Sequence, residues 1–157
     1  MAVVGAVAGT KCYIYSTAAT AGVFAVPASP DLWLEIGQIS NLGNLMQQFA
    51  KIAVESVGDG YTRQIKGTQS VPEFALVVNR KDDDVGQVKL KAVLTDRNSL
   101  WWFKIAENDI LTSNPTTSFF QGRVYSGGST YGGVNDLKKS NYNIEVEPDS
   151  ISTVAAA

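Results

Sequence analysis

Enzymatic chemistry needs nucleophiles, bases or metal ligands at usable spacings, and this chain offers few. None of its 157 residues is histidine. That removes Ser-His-Asp and Cys-His catalysis and every histidine-ligated zinc or iron site. The lone cysteine, Cys12, can form no internal disulfide, a usage that suits a reducing compartment. Asp82-Asp83-Asp84 opens like a calcium loop. The sixth and twelfth positions, where such a loop needs Gly and Glu, are Gln87 and Val93. The run instead suits a helix start, with Asp84 as N-cap and Gln87 where a capping-box partner belongs. Gly58-Asp59-Gly60 has Arg63 in place of a third fingerprint glycine, so it reads as a turn. Ser126-Gly127-Gly128-Ser129 with Gly132-Gly133 follows a strand and opens no helix, and reads as a flexible loop. Glu55 and Glu73 fall on different expected strands, with nothing to make them converge. No enzyme, cofactor or metal is expected.

The aromatic and apolar residues carry more information. Trp101, Trp102 and Phe103 are consecutive, so in a strand neighbours point to opposite faces. One face is core. The other carries Trp102, either as a ligand platform or buried beneath the helix or a neighbouring subunit. The connection Asn41–Ala50 holds Leu42, Leu45, Met46 and Phe49. Either these residues form a subunit interface, or Leu45 and Phe49 cover one end of the fold.

The elements that must position these residues are mostly strands. Lys11–Ser16, Leu32–Ser40, Gln48–Val57, Tyr61–Ile65, Val71–Asn79, Leu100–Ala106, Thr117–Tyr125 and Ser140–Glu147 each read as one, the second bulged at Gly37. Thr17–Ala28 reads as a small-residue loop. Ala50, Ile52 and Val54 face one way along the third strand. Glu145 and Glu147 alternate with Ile144 and Val146 along the last. Val85–Leu94 reads as a helix whose inward stripe is Val85, Val88 and Ala92, widened by Leu90 and Val93. The expected fold is mainly β: an antiparallel β-sandwich or barrel-like subunit with one flanking α-helix at about residues 84–94, built as one domain over 1–157. Residues 1–10 and 151–157 read as flexible or assembly arms.

Composition narrows the function classes. Apolar residues at 45% against 18% charged exclude intrinsic disorder. Thirteen basic against fifteen acidic residues give a net charge of -2, with no basic excess to drive phosphate binding. No stretch approaches the ~18 apolar residues needed to span a bilayer, and the opening residues lack the basic start of a secretory signal. A protein made in a cytoplasm is expected.

The run Gly58-Asp59-Gly60-Tyr61-Thr62-Arg63, then Ile65-Lys66-Gly67, then Val71-Pro72-Glu73-Phe74-Ala75-Leu76 resembles the middle of bacteriophage major tail (tail tube) proteins of the long non-contractile type. Asp82–Gln87 followed by Leu90, Ala92 and Leu94 is similar to that family's acidic turn and helix. Ile36-Gly37-Gln38-Ile39 fits its early "I-G-E-V" stretch, with Gln38 replacing the acid. The likeness runs from Leu32 to Val146, with the strand Leu100–Ile105 and the late hairpin Thr117–Glu147 in the expected order. It departs at Asn41–Gln48, where a more glycine-rich loop is the family's habit.

The resemblance implies a structural virion protein that assembles with itself into hexameric rings. The rings stack into a hollow tube, the conduit for duplex DNA passing without specific binding into the host. About six subunits giving about four tilted strands each would close a ~24-strand barrel roughly 50 Å across. It also implies tape measure, tail tip and tail terminator proteins as partners, and a virion tail assembled in the bacterial host cytoplasm. Leu42, Leu45, Met46, Phe49 and Trp102 are then candidate interface residues. Glu55, Glu145 and Glu147 are candidates for the lumen, where a neutral-to-acidic wall would not hold DNA. Two other readings remain: a carbohydrate-binding module with Trp102, Tyr125 or Tyr131 as stacking platform, and the tube of a contractile tail or secretion system.

Overall fold

The computed structural model describes residues 7–58, 60–108 and 114–155. Asp59 of the expected turn, the first six residues of the expected 1–10 arm, and 156–157 of the other lie outside the described residues. Ten strands and one α-helix follow in order among those described. They are β1 Lys11–Ala19, β2 Trp33–Ile36, β3 Ile39–Leu42, β4 Gln48–Glu55, β5 Thr62–Ser70, β6 Phe74–Asn79, α1 Val85–Leu94, β7 Leu100–Ala106, β8 Thr117–Thr130, β9 Lys139–Val146 and β10 Ser152–Val154. Eight strands form one antiparallel sheet in the order β2-β1-β7-β8-β9-β6-β3, with β10 added alongside β8. Among the described residues, strands β4 and β5 pair only with each other.

β2 and β3 lie at opposite ends of that order, yet Gly37 and Gln38 alone separate them. Three Cα steps reach at most about 11 Å, so the sheet must curl until its two edges meet at this corner. The expected single strand Leu32–Ser40 with a bulge at Gly37 is therefore two strands turning a corner. Gln38 takes a left-handed φ of 59° to make the turn.

Helix α1 seals the corner. Asp84 caps it by accepting from the backbone N–H of Gln87 at 3.0 Å, and accepts from the N–H of Gly37 at 3.3 Å. The Gln87 side chain, almost wholly buried, donates to the carbonyls of Gly37 and Asn79, both at 3.0 Å, and accepts from the N–H of Lys81 at 2.9 Å. Gln87 thus ties three backbone segments together instead of closing a capping box. Gly86 must lack a side chain, because a Cβ there would meet the carbonyl oxygen of Glu35 and, at 2.6 Å, the Cα of Ile36. The buried side of α1 is consequently Gly86, Gln87, Leu90 and Val93. Val85, Val88 and Ala92, the stripe expected to face inward, point to solvent. The close approach of the helix's first turn to β2 fixes that rotation.

Alternation in the strands fills the barrel. Cys12, Ile14, Ile36, Phe74, Leu76, Val78, Phe103, Phe120 and Ile144 are buried in one cluster with Leu90 and Val93. Phe120 stacks on Phe103 at 5.3 Å and tilts against Phe74 at 5.3 Å. Each such ring buries a large apolar area in this core. Burial pushes the Cys12 thiol up to about 12, which holds it protonated and inert. The glycine-rich Ser126–Ser129, expected to be a loop, continues β8 and pairs with Ser140–Asn143 of β9. Gly127 is required there, since a Cβ would meet the Tyr142 ring at 2.7 Å. Part of the expected C-terminal arm, Ser152–Val154, is strand β10.

Candidate self-assembly surfaces

The β4–β5 hairpin leaves the barrel as a continuation of β3 and β6, and nearly all of its residues are exposed. Its register pairs Lys51 with Lys66, Ile52 with Ile65, Ala53 with Gln64, Val54 with Arg63 and Glu55 with Thr62. Directly paired residues share a face. One face therefore carries Ala50, Ile52, Val54 and Ile65 with Arg63 at its far end, and the other Phe49, Lys51, Ala53, Glu55, Thr62, Gln64 and Lys66. The Lys66 ammonium lies 5.1 Å from the Phe49 ring centre, on the second face. Ile52 is 47% exposed and Ile65 53%. A two-stranded ribbon with one bare aliphatic face is marginal in water by itself.

The candidate interface residues divide. Leu42 and Leu45 pack half-buried against the barrel core, while Met46 and Phe49 remain exposed. Trp102 is only 3% exposed and is covered by its own chain. It shares a sheet face with Gln121, its register partner, whose amide donates to the carbonyl of Val23 at 2.6 Å. The segment after β1 thus crosses that face, which corrects the expectation that Trp102 lies at a subunit contact and removes it as a stacking platform. Tyr125 and Tyr131 are exposed on the far part of β8 and the turn beyond.

The three lumen candidates occupy two surfaces. Glu55 ends β4 on the hairpin's polar face. Glu145 is exposed on β9 opposite Arg123, and Glu147 is ion-paired with Arg123 at 3.5 Å. The same outward sheet face holds an aromatic patch that sequence reading did not assemble. Trp33 packs on Tyr15 at 5.0 Å and Phe119 at 5.8 Å, and the Lys104 ammonium lies 4.3 Å from the Tyr13 ring centre and 5.0 Å from that of Trp33. Burial pulls the Lys104 pKa below its ordinary value. Tyr13 and Tyr15 share a face simply by alternating along β1, whereas their meeting with Trp33 and Phe119 depends on the β2-β1-β7-β8 strand order.

Among the described residues, no three His, Cys, Asp or Glu side chains gather to hold a metal ion. No helix among them is long and apolar enough to cross a membrane.

The barrel with its corner helix and projecting hairpin has counterparts among solved structures. A chain from the cryo-EM structure of the anti-feeding prophage baseplate superposes with a TM-score of 0.72 at 9% identity, covering 99% of this chain and 98% of that one. A chain of the sheath/tube terminator of PVC, an extracellular contractile injection system, gives 0.68 at 12% identity, with 96% of each covered. The SPP1 tail tube gives 0.58 at 13% identity, covering 94% of this chain and 76% of that one. No protein-family model and no curated protein sequence matches the chain. The fold is that of tail-tube-type proteins: mainly antiparallel β with one flanking helix.

Proposed function

We propose that this chain is a structural tube subunit that polymerises with itself, as its resemblance to major tail proteins implies, into stacked rings, hexameric in this reading. The observation that carries the proposal is the aliphatic face Ala50-Ile52-Val54-Ile65, presented to water on a ribbon that pairs with no other strand among the described residues. A second copy removes that face from water, and a closed heterologous ring does so for every subunit at once. Met46, and Phe49 from the hairpin's other face, are assigned to the same subunit interface, with Leu42 and Leu45 at its edge where they pack on the barrel core. Glu55, Glu145 and Glu147 are assigned to the lumen or its rim, where negative charge discourages duplex DNA from sticking. In this reading the tube is the DNA conduit of a virion tail assembled in the bacterial cytoplasm, capped by tail tip and terminator proteins and measured by a tape protein. Its role is structural rather than enzymatic.

A second reading, the tube of a contractile injection system, is favoured by the similarity to chains of the anti-feeding prophage and PVC particles. Both readings require assembly. Sedimentation over a wide concentration range, with negative-stain microscopy of the concentrated protein, is the test. Rings or tubes are expected; a strictly monomeric species at every concentration and near-physiological salt would overturn the proposal.

A further inference from the structure

Val85, Val88 and Ala92 recur at i, i+3 and i+7 on the outward side of α1, with Val85 62% and Val88 55% exposed. Packing on the barrel does not require them, because Gly86, Gln87, Leu90 and Val93 supply that side. Nor does helix formation. β-Branched residues lose side-chain freedom in a helix, and solvent positions are better filled by straight-chain polar residues. The stripe also borders a groove of 670 Å3, with Val88 and Leu94 on the helix side and Gly127, Tyr131 and Tyr142 on the other.

We infer that this helix stripe and groove are the seat for the apolar face of the β4–β5 hairpin from a second copy of the chain. The inference rests on the self-assembly reading and names the surface that completes it. In a heterologous assembly a projecting patch must meet a different patch on the next subunit, and these two match in chemistry and size. Ala50 to Val54 spans about 13 Å of strand, and Val85 to Ala92 about 10 Å of helix. The two strips are aliphatic apart from Arg63 on the hairpin, as a sheet face packed on a helix requires, while the groove beside the helix also carries Arg80, Lys81, Asp82 and Lys91. Charge favours the same pairing. Arg63 is the charge on the hairpin's aliphatic face, since Lys51, Lys66 and Glu55 lie on the other, and Asp82 and Asp83 lead into the stripe with side chains largely exposed. Their intrachain partners, Arg80 and Lys81, hold them by surface pairs of little strength.

Cysteine cross-linking tests the seat on the full chain, because the natural Cys12 is buried and unreactive. The double variant Ile52→Cys with Val88→Cys, concentrated and mildly oxidised, is expected to give a ladder of disulfide-linked multimers on a non-reducing gel. Each single variant should stop at dimers. Assembled tubes without a ladder overturn the seat and leave the assembly reading standing, most directly if Ile52→Cys with Tyr15→Cys gives the ladder instead. Val88→Cys labelled by a bulky maleimide as fast in tubes as in the free chain also overturns it, and assigns the stripe to a different protein around the tube. Absence of both tubes and ladder overturns the seat and the assembly reading together.

Discussion

The barrel and the β4–β5 hairpin use the same period-2 alternation and reach opposite ends. In β6, Phe74, Leu76 and Val78 alternate with Ala75, Val77 and Asn79, and the apolar side is wholly buried. In β4, Ala50, Ile52 and Val54 alternate with Lys51, Ala53 and Glu55, and the aliphatic side faces water. Alternation specifies an amphipathic surface. It does not specify whether the cover comes from the same chain or from another. That difference separates the residues that hold the subunit from those offered to a neighbour.

The comparison breaks most severely where the barrel is closed. Gln87→Leu keeps the volume of the side chain and removes its hydrogen bonds to Gly37, Asn79 and Lys81. Leaving buried backbone groups unpaired at the corner should cost about 3 kcal/mol, a drop of about 10 °C in melting temperature for a chain of this length. A melt within 2 °C of the wild type would mean that water replaces Gln87 without loss and that the corner is held by packing alone.

Cys12 gives a smaller and pH-dependent effect on the same side. Its folded-state pKa is pushed up to about 12 by burial, above the ordinary thiol value. The folded chain therefore holds the proton more tightly than the unfolded one. The resulting stability is fully present below the unfolded pKa and declines as pH rises toward about 12. The slope approaches about 1.4 kcal/mol per pH unit above pH ~8.5. Denaturant titrations at pH 7, 9 and 10 should show wild type losing more than Cys12→Ala. Parallel curves would show that the thiol's surroundings are wet.

How much of this was legible follows from where each signal resides. Helix Val85–Leu94, its Asp84 cap and the alternation of Phe74, Leu76, Val78, Cys12 and Ile14 are local, and all appear as the sequence implies. The rotation of α1 was not legible. Val85, Val88 and Ala92 form as good a stripe as Leu90 and Val93, and the choice was made by Gly86 admitting the backbone of β2. In the sequence Gly37 suits a bulge as well as a corner, and only the pairing of β3 with β6 distinguishes them. Trp102 was expected at a contact because the segment crossing it, near Val23, has no periodicity to place it. The hairpin's alternation was legible and its exposure was not, since exposure depends on which strands remain unpaired.

The smallest effect on the subunit itself is expected on the hairpin. Replacing both Ile52 and Ile65 with aspartate alters two register partners on the aliphatic face, each about half-exposed. Surface changes of this kind shift stability by about 0.5 kcal/mol or less, so the dilute chain should melt within a degree or two of wild type. Assembly should respond in the opposite sense. Two unpaired carboxylates buried at a contact cost several kcal/mol, enough to hold the chain monomeric at concentrations where wild type sediments as rings or tubes. Gln64→Asp, on the hairpin's polar face, is the control and should assemble. The melt decides between the two regions. A fall of many degrees in the dilute double variant would mean that Ile52 and Ile65 pack on their own barrel in solution, and the hairpin would then belong with β6 as part of the subunit's own fold.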